Sequence, residues 1–176
     1  GGGAGARALG NGMDGVHVHV TNSSNLPIEP LEIEYDLIVD EYALVEDSSG
    51  AGRYRGGMGI ARQISAPNGD VVFTARSDGH REGAPGAKGG TAGREAHLMK
   101  NAGTDGAEEL SPMIAGLTLG KGENVRLETP GGGGYGAVAE RDVAALAGDL
   151  RDGRMSRARA EELYGDEKVA AALASV

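Results

Sequence analysis

Glycine sets the first limit on what this chain can fold into. The runs GGGAGA, GAGRYRGGMG, GAPGAKGG and GGGGYG lie far apart along it, and glycine makes up 32 of its 176 residues, against a usual frequency of about 7%. No collagen-like period of three runs through them. Each glycine surrenders more backbone freedom on folding than any other residue. A chain of this kind is therefore expected to be ordered partly by contact with other protein surface. Its core must be aliphatic, since there is no Trp, one Phe (Phe73) and five Tyr. The length suits one domain, or a piece of one.

Charge narrows the class further. Of the net −9, eight negatives fall between Glu29 and Asp47, at Glu29, Glu32, Glu34, Asp36, Asp40, Glu41, Glu46 and Asp47, in a segment with no Lys or Arg. The remainder is close to neutral, which argues against a nucleic-acid surface, because phosphate binding needs a basic footprint. Cysteine is absent, so disulfides and thiolate metal sites are excluded and a reducing, cytoplasmic setting is expected. No apolar stretch approaches the roughly 18 residues of a membrane span, and the N-terminal glycines do not form a signal peptide. The chain opens on Gly1 rather than methionine, as expected of a processed product, an engineered segment or part of a longer polypeptide.

Periodicity predicts an α+β fold. Residues 1–139 form a β-rich domain with glycine-rich loops, and residues 140–176 a short helical tail. Val16, Val18 and Val20 alternate with His17 and His19, the period of a strand, and TNSSNLP turns the chain. Leu31, Ile33, Tyr35, Leu37 and Val39 then alternate with acids, predicting a long half-buried strand that continues to Val45. Strands are expected over 60–66 and 71–75, joined as a hairpin at Asn68-Gly69. A short strand is expected over 95–100, and two more around a Gly120–Gly122 turn. Helical spacing appears only after Gly134: Val143, Leu146, Ala147 and Leu150 stop at Gly153. Ser156 caps a second helix ending at Gly165, and DEKVAAALASV forms a third.

Local motifs name no reaction. Gly131, Gly133 and Gly136 satisfy G-x-G-x-x-G between a strand and a helix. A dinucleotide fold also requires a second parallel strand ending in an acid about 20 residues on, and here only helices follow. The run is instead expected to let backbones approach closely. Lys88 in GAPGAKGGT lacks the following Ser or Thr and the glycine spacing of a P-loop. His17 and His19 share one face of their strand, about 6.6 Å apart at Cα. Such a pair can converge on a metal or relay a proton, or stand in solvent while the valines pack. Arg53, Arg55 and Arg62 can clamp an anionic group, or pair with the acids from Glu32 to Asp40.

Several stretches together resemble one family. DGVHVHVTNSSNLPIEPLEIEY is similar to the D-G-x-H-x-H-x-T-N-x-x-N-x-P-x-E-x-x-E segment of the hydantoinase B family. SSGAGRYRGGMGIAR resembles its G-A-G-x-x-R-G-G-x-G motif. LETPGGGGYG, followed by ERD and DLRDGRMSRARAEELYG, resembles its closing glycine run and helical end. The motifs keep their order from Gly1 to Gly165 and resemble the C-terminal third of a longer subunit, where many members run on past this point. The family includes the B subunit of N-methylhydantoinase, the C-terminal part of 5-oxoprolinase, and the large subunits of acetone and acetophenone carboxylases.

The resemblance implies an ATP-dependent hydrolase of hydantoins, 5-oxoproline or other lactams, working as a hetero-oligomer. An A-type subunit of actin-like ATPase fold would use ATP and Mg²⁺. A divalent metal would be held by His and Asp of the N-terminal part of the same B-type subunit, so none is assigned to this chain. His17, His19, Asn22, Asn25 and Glu29 match the family's most recognisable polar segment. They are expected to line an interior polar cleft while Val16, Val18 and Val20 pack into the core. The family also contains a carboxylase branch, which would take a small ketone. A third expectation is a non-catalytic assembly subunit whose catalytic groups sit on a partner. Neither nucleic acid nor membrane is an expected partner.

Overall fold

The computed structural model describes residues 1–17 and 24–175. In chain order they form α1 (Ile28–Glu34), β1 (Ile38–Leu44), β2 (Ile60–Ser65), β3 (Val71–Arg76), β4 (His97–Lys100), β5 (Glu108–Glu109), β6 (Met113–Leu119), β7 (Asn124–Glu128), α2 (Val143–Arg151), α3 (Arg157–Tyr164) and α4 (Asp166–Leu173). The mixed α+β class holds: antiparallel sheets make up the middle of the chain and three of the helices its end. Among the described residues no helix is long and apolar enough to cross a membrane.

The glycine runs are not loops. Gly3 and Ala6 donate to the carbonyls of Pro130 and Gly133, and Gly12 and Gly15 to those of Arg55 and Met58. Gly131 and Gly134 donate to Arg94 and Thr91, which in turn donate to Ser48 and Ala51. Partners advance three residues at a time on both sides. That is the repeat of a polyproline-II helix, which has three residues per turn and leaves its backbone groups free for neighbours. Segments 1–6, 10–15, 48–59, 84–94 and 130–137 thus lie together as one layer. A Cβ on Gly3 would sit 1.9 Å from the Gly57 carbonyl oxygen, on Gly56 1.9 Å from that of Gly132, and on Gly57 1.9 Å from that of Met13. None of the three has a positive φ, so the requirement is for space rather than for an unusual conformation. The surface that orders these glycines belongs to the same chain.

Beside this layer stands a five-stranded antiparallel sheet in the order β1-β2-β7-β4-β5, with β3 and β6 forming a separate pair. The expected hairpin at Asn68-Gly69 does not form, because β2 pairs with β1 and β7 whereas β3 pairs with β6. Gly69 and Asp70 do turn the chain at positive φ. Opposite them the Gly120–Gly122 turn meets the corner, Gly122 N–H donating to Ala66 and Ala66 N–H to Glu123. Ser65 faces Asn124 and Val71 faces Leu119, so the pairing resumes beyond the corner with one extra residue on the first strand. The two sheets are one antiparallel ribbon, bent where both strands turn. Ala66, Leu98, Leu119 and Val125 are buried inside the bend, with Phe73, Ile114 and Leu127 packed against them.

The long strand expected from Leu31 to Val45 is also corrected: residues 28–34 are helix α1 and the strand begins at Ile38. Pro27 precedes α1 and Pro30 lies in its first turn, where proline's fixed φ suits a helix and its missing N–H would have had no partner. Glu29 adds favourable charge at that end. The tail agrees with its pattern. Ser156 Oγ accepts from Arg159 N–H at 3.2 Å, Gly165 ends α3 at φ 83°, and Leu146, Met155, Ala160, Val169 and Ala172 close a second core.

This layer predicts a sharp contrast. Gly57→Ala should destabilise the chain by about 3 kcal/mol or more, the upper range for overpacking. Gly10→Ala, whose Cβ would meet nothing within 4 Å, should change stability by less than about 0.5 kcal/mol. Urea unfolding of the two variants against the parent measures both.

Candidate functional site

Asp14 opens the polar motif singled out above, and a buried arginine anchors it. Arg55 is 4% exposed. Its Nη1 lies 2.8 Å from Asp14 Oδ1 and its Nε 3.2 Å from Asp149 Oδ1 on α2. Arg141, 2% exposed, binds the second oxygen of Asp149. Asn11 Oδ1 accepts from Arg55 N–H at 2.9 Å and from Arg141 Nη1 at 3.0 Å. Asp14 also accepts from Met58 N–H at 2.9 Å. Two arginines and two aspartates thus neutralise one another, which a buried charge requires, and they lock the helical tail to the loop carrying Asp14.

Electrostatics follow from this arrangement. Burial alone would raise the Asp14 pKa. The Arg55 hydrogen bond, the Met58 N–H and the charges of Arg55 and Arg154 outweigh burial and hold it below its ordinary 3.8. For Arg55 burial works downward, but Asp14 and Asp149 carry its pKa above the ordinary value.

Beyond Asp14 the chain passes Gly15 and Val16, whose N–H donates to Gly2, and reaches His17. His17 is exposed and Val16 is half-buried, so His17 stands on the surface of this chain rather than in an interior cleft. The alternation that puts His17 and Val16 on opposite sides says nothing of what covers either one. His19 and Asn22, with Val18 and Val20, lie outside the described residues. Asn25 is exposed and its Nδ2 donates to the Tyr42 hydroxyl on β1. Glu29 is exposed in the first turn of α1. Asp14, Gly15, Tyr42, Ala43, Leu44 and Ile60 line a shallow pocket of about 240 Å³. Asp14, ahead of the polar segment, and Tyr42, which holds Asn25, both line this pocket.

The three arginines of the expected clamp separate. Arg55 serves the buried pairs with Asp14 and Asp149, not the acids from Glu32 to Asp40. Arg53 stands 3.9 Å from Glu140, both exposed. Arg62 lies over the Tyr42 ring, 5.8 Å from its centroid. Among the acids, Glu41 pairs with Arg126, while Asp36 and Asp40 accept from Asn68 and Ser65. Among the described residues no three His, Asp or Glu side chains gather as a metal site. Gly131, Gly132, Gly133 and Gly134 lie against the carbonyls of Ser48, Ala4, Pro85 and Ala51, so close backbone approach is what this run provides. Asn11, Asp14, Tyr42, Arg141 and Asp149 were missed by inspection of the sequence. Only Asp14 carried a signal, as the first residue of the polar motif.

Comparison with known proteins places this geometry. Residues 1–138 match the family model Hydantoinase B/oxoprolinase, and the chain belongs to that family. The 5-oxoprolinase PfmaA of Pestalotiopsis fici is 34% identical over 77% of this chain and 11% of its own length. The crystal structure of the ATP-dependent caprolactamase from Pseudomonas jessenii superposes with a TM-score of 0.72 at 27% identity, covering 98% of this chain and 32% of that one. A nucleotide-free acetone carboxylase shares the fold, with a TM-score of 0.79 at 19% identity over 99% of this chain and 29% of that one. The chain spans between about a tenth and just over a quarter of the curated relatives it matches.

The buried pairs generate two expectations. Arg55→Met strands Asp14 and Asp149 and should lower stability by about 3–5 kcal/mol. Because the folded pKa of Asp14 is depressed, its contribution is present above its unfolded value of about 3.9 and is lost as pH falls through the folded value. The stability gap between the parent and Asp14→Asn should therefore be full at pH 7 and shrink below about pH 4, as read from urea midpoints across that range.

Proposed function

We propose that this chain is the C-terminal segment of a hydantoinase-B-type subunit in an ATP-dependent cyclic amide hydrolase, acting on a hydantoin, 5-oxoproline or another lactam. Family membership supports the reaction class, and the caprolactamase and 5-oxoprolinase relatives narrow it to ring amides. The observation that carries the site is the pocket between Asp14 and Tyr42, with the polar segment fixed at both ends, by the Arg55 ion pair and by the Asn25 hydrogen bond.

In this reading, ATP and Mg²⁺ on an A-type partner subunit would supply a phosphoryl group to the amide oxygen. Water then adds to the activated ring carbon, the C–N bond breaks as the nitrogen takes up a proton, and a second water releases the phosphate. A divalent metal belongs to the N-terminal part of the same subunit. The residues of this chain then handle water and charge. His17 or His19 takes the proton of the attacking water as general base. Asn22 and Asn25 hold the oxygen on which negative charge develops. Asn25 spends one amide N–H on Tyr42 and keeps a second to donate. Glu29 closes the rim. Chain and partners together form a hetero-oligomer, in which this segment contributes one wall of the site.

The test is lactam-dependent ATP turnover by the complete enzyme. His19→Ala should lower turnover by about 10²–10⁴-fold with its melting temperature unchanged, and His17→Ala should do less. Full activity in both variants would make the histidines scaffold. Turnover that needs bicarbonate and a ketone in place of a lactam would move the enzyme to the carboxylase branch.

A further inference from the structure

The apolar side of the bent ribbon carries a charge that no acidic side chain answers among the described residues. Arg62 sits on β2 opposite Tyr42 of β1 and Leu127 of β7, the side on which Ile64, Val125 and Leu127 face the core. Its Nε is buried without a hydrogen-bond partner. Glu41 and Glu128 lie near in sequence register but point to the other face, where Arg126 binds both. Of the three arginines that could have clamped an anion, Arg55 is taken by aspartates and Arg53 is exposed toward Glu140. Arg62 remains, half-buried and over the Tyr42 ring.

It also borders a cavity. Between β2, β7 and β3 lies a space of about 320 Å³ walled by Leu37, Ile64, Val71, Phe73 and Leu127, with Arg62 the one charged residue on its lining among the described residues. The volume falls at the lower end of small-molecule sites, which combine apolar walls with a few fixed polar groups. A guanidinium held beside apolar walls without a counter-ion is unfavourable. Its planar fork matches a carboxylate or phosphate through two parallel hydrogen bonds.

We propose that this cavity binds a small molecule with a compact apolar body and a single anionic group, the anion on Arg62 and the body against Phe73, Leu37 and Leu127. The site is distinct from the pocket beside Asp14 and does not depend on the roles assigned to His17 and His19. Tyr42 joins the two, since its ring supports Arg62 while its hydroxyl holds Asn25. Occupancy of the cavity would fix the Arg62–Tyr42 contact, and through it Asn25 at the end of the polar segment.

The probes are hexanoate, hexyl phosphate and hexan-1-ol, which share an apolar body and differ in charge. Their binding to the complete enzyme is followed by calorimetry without ATP or lactam. Hexanoate or hexyl phosphate should bind at least about tenfold more tightly than the alcohol, the least expected of a charge-assisted hydrogen bond. The tighter of the two identifies carboxylate or phosphate as the natural group. Arg62→Met should bring the anions down to the alcohol's affinity without altering the alcohol's own. Equal binding of alcohol and anions by the parent enzyme overturns the proposal, and this comparison needs no variant. So does unchanged anion binding in Arg62→Met, or no saturable binding of any probe, which would mean that another protein segment fills the cavity and pairs with Arg62.

Discussion

The whole molecule hangs on contact between bare backbones. Five segments meet so closely that at most of their glycines a Cβ would strike a neighbouring backbone, and hydrogen bonds repeat every third residue between them. Burying main-chain N–H and C=O groups requires partners for nearly all of them, and neither helix nor sheet supplies those partners here. The layer does so with threefold extended chains. Once it is formed, Asn11, Asp14 and Arg55 have fixed places, and the sheet and the helical tail dock against it.

The ion pairs act on this frame at a single point. Arg55 leaves the glycine-rich segment 48–59 and reaches Asp14 in one direction and Asp149 in the other, so three remote parts of the chain share one guanidinium. A cation buried between two carboxylates specifies geometry more than it adds stability. Its value for function lies in where it ends, at the residue before Gly15, Val16 and His17. The helical tail, which contributes no residue to the pocket, still determines where the polar segment begins.

Much of this was legible in the sequence, for identifiable reasons. The tail announced itself because its helices have a 3.6-residue pattern, a serine cap and glycine stops, all local signals. Strands β2, β3, β6 and β7 were visible as runs, but their partners were not. The Asn68-Gly69 turn looks like a hairpin, and only the opposing Gly120–Gly122 turn makes it a corner. From Leu31 to Val39 the alternation of apolar and acidic residues outweighed two prolines that in fact begin a helix. For the site, the motif located the right stretch of chain, whereas Arg141 and Asp149 carry no mark in the sequence. Their importance arises from burial against residues about a hundred positions away, which no local pattern encodes.

The glycine layer also bears on the order of events in folding. Gly2 and Ala4 bond to Val16, Met13 and Gly57, but Gly3 and Ala6 find their acceptors in Pro130 and Gly133, so no local stretch can complete the layer. Loop-closure entropy must be overcome before those contacts form, which is the signature of slow, high-contact-order folding. Until the GGGGYG run joins them, Gly3 and Ala6 lack the carbonyls of Pro130 and Gly133. One side of this glycine run thus stays open until the most distant segment of the layer arrives.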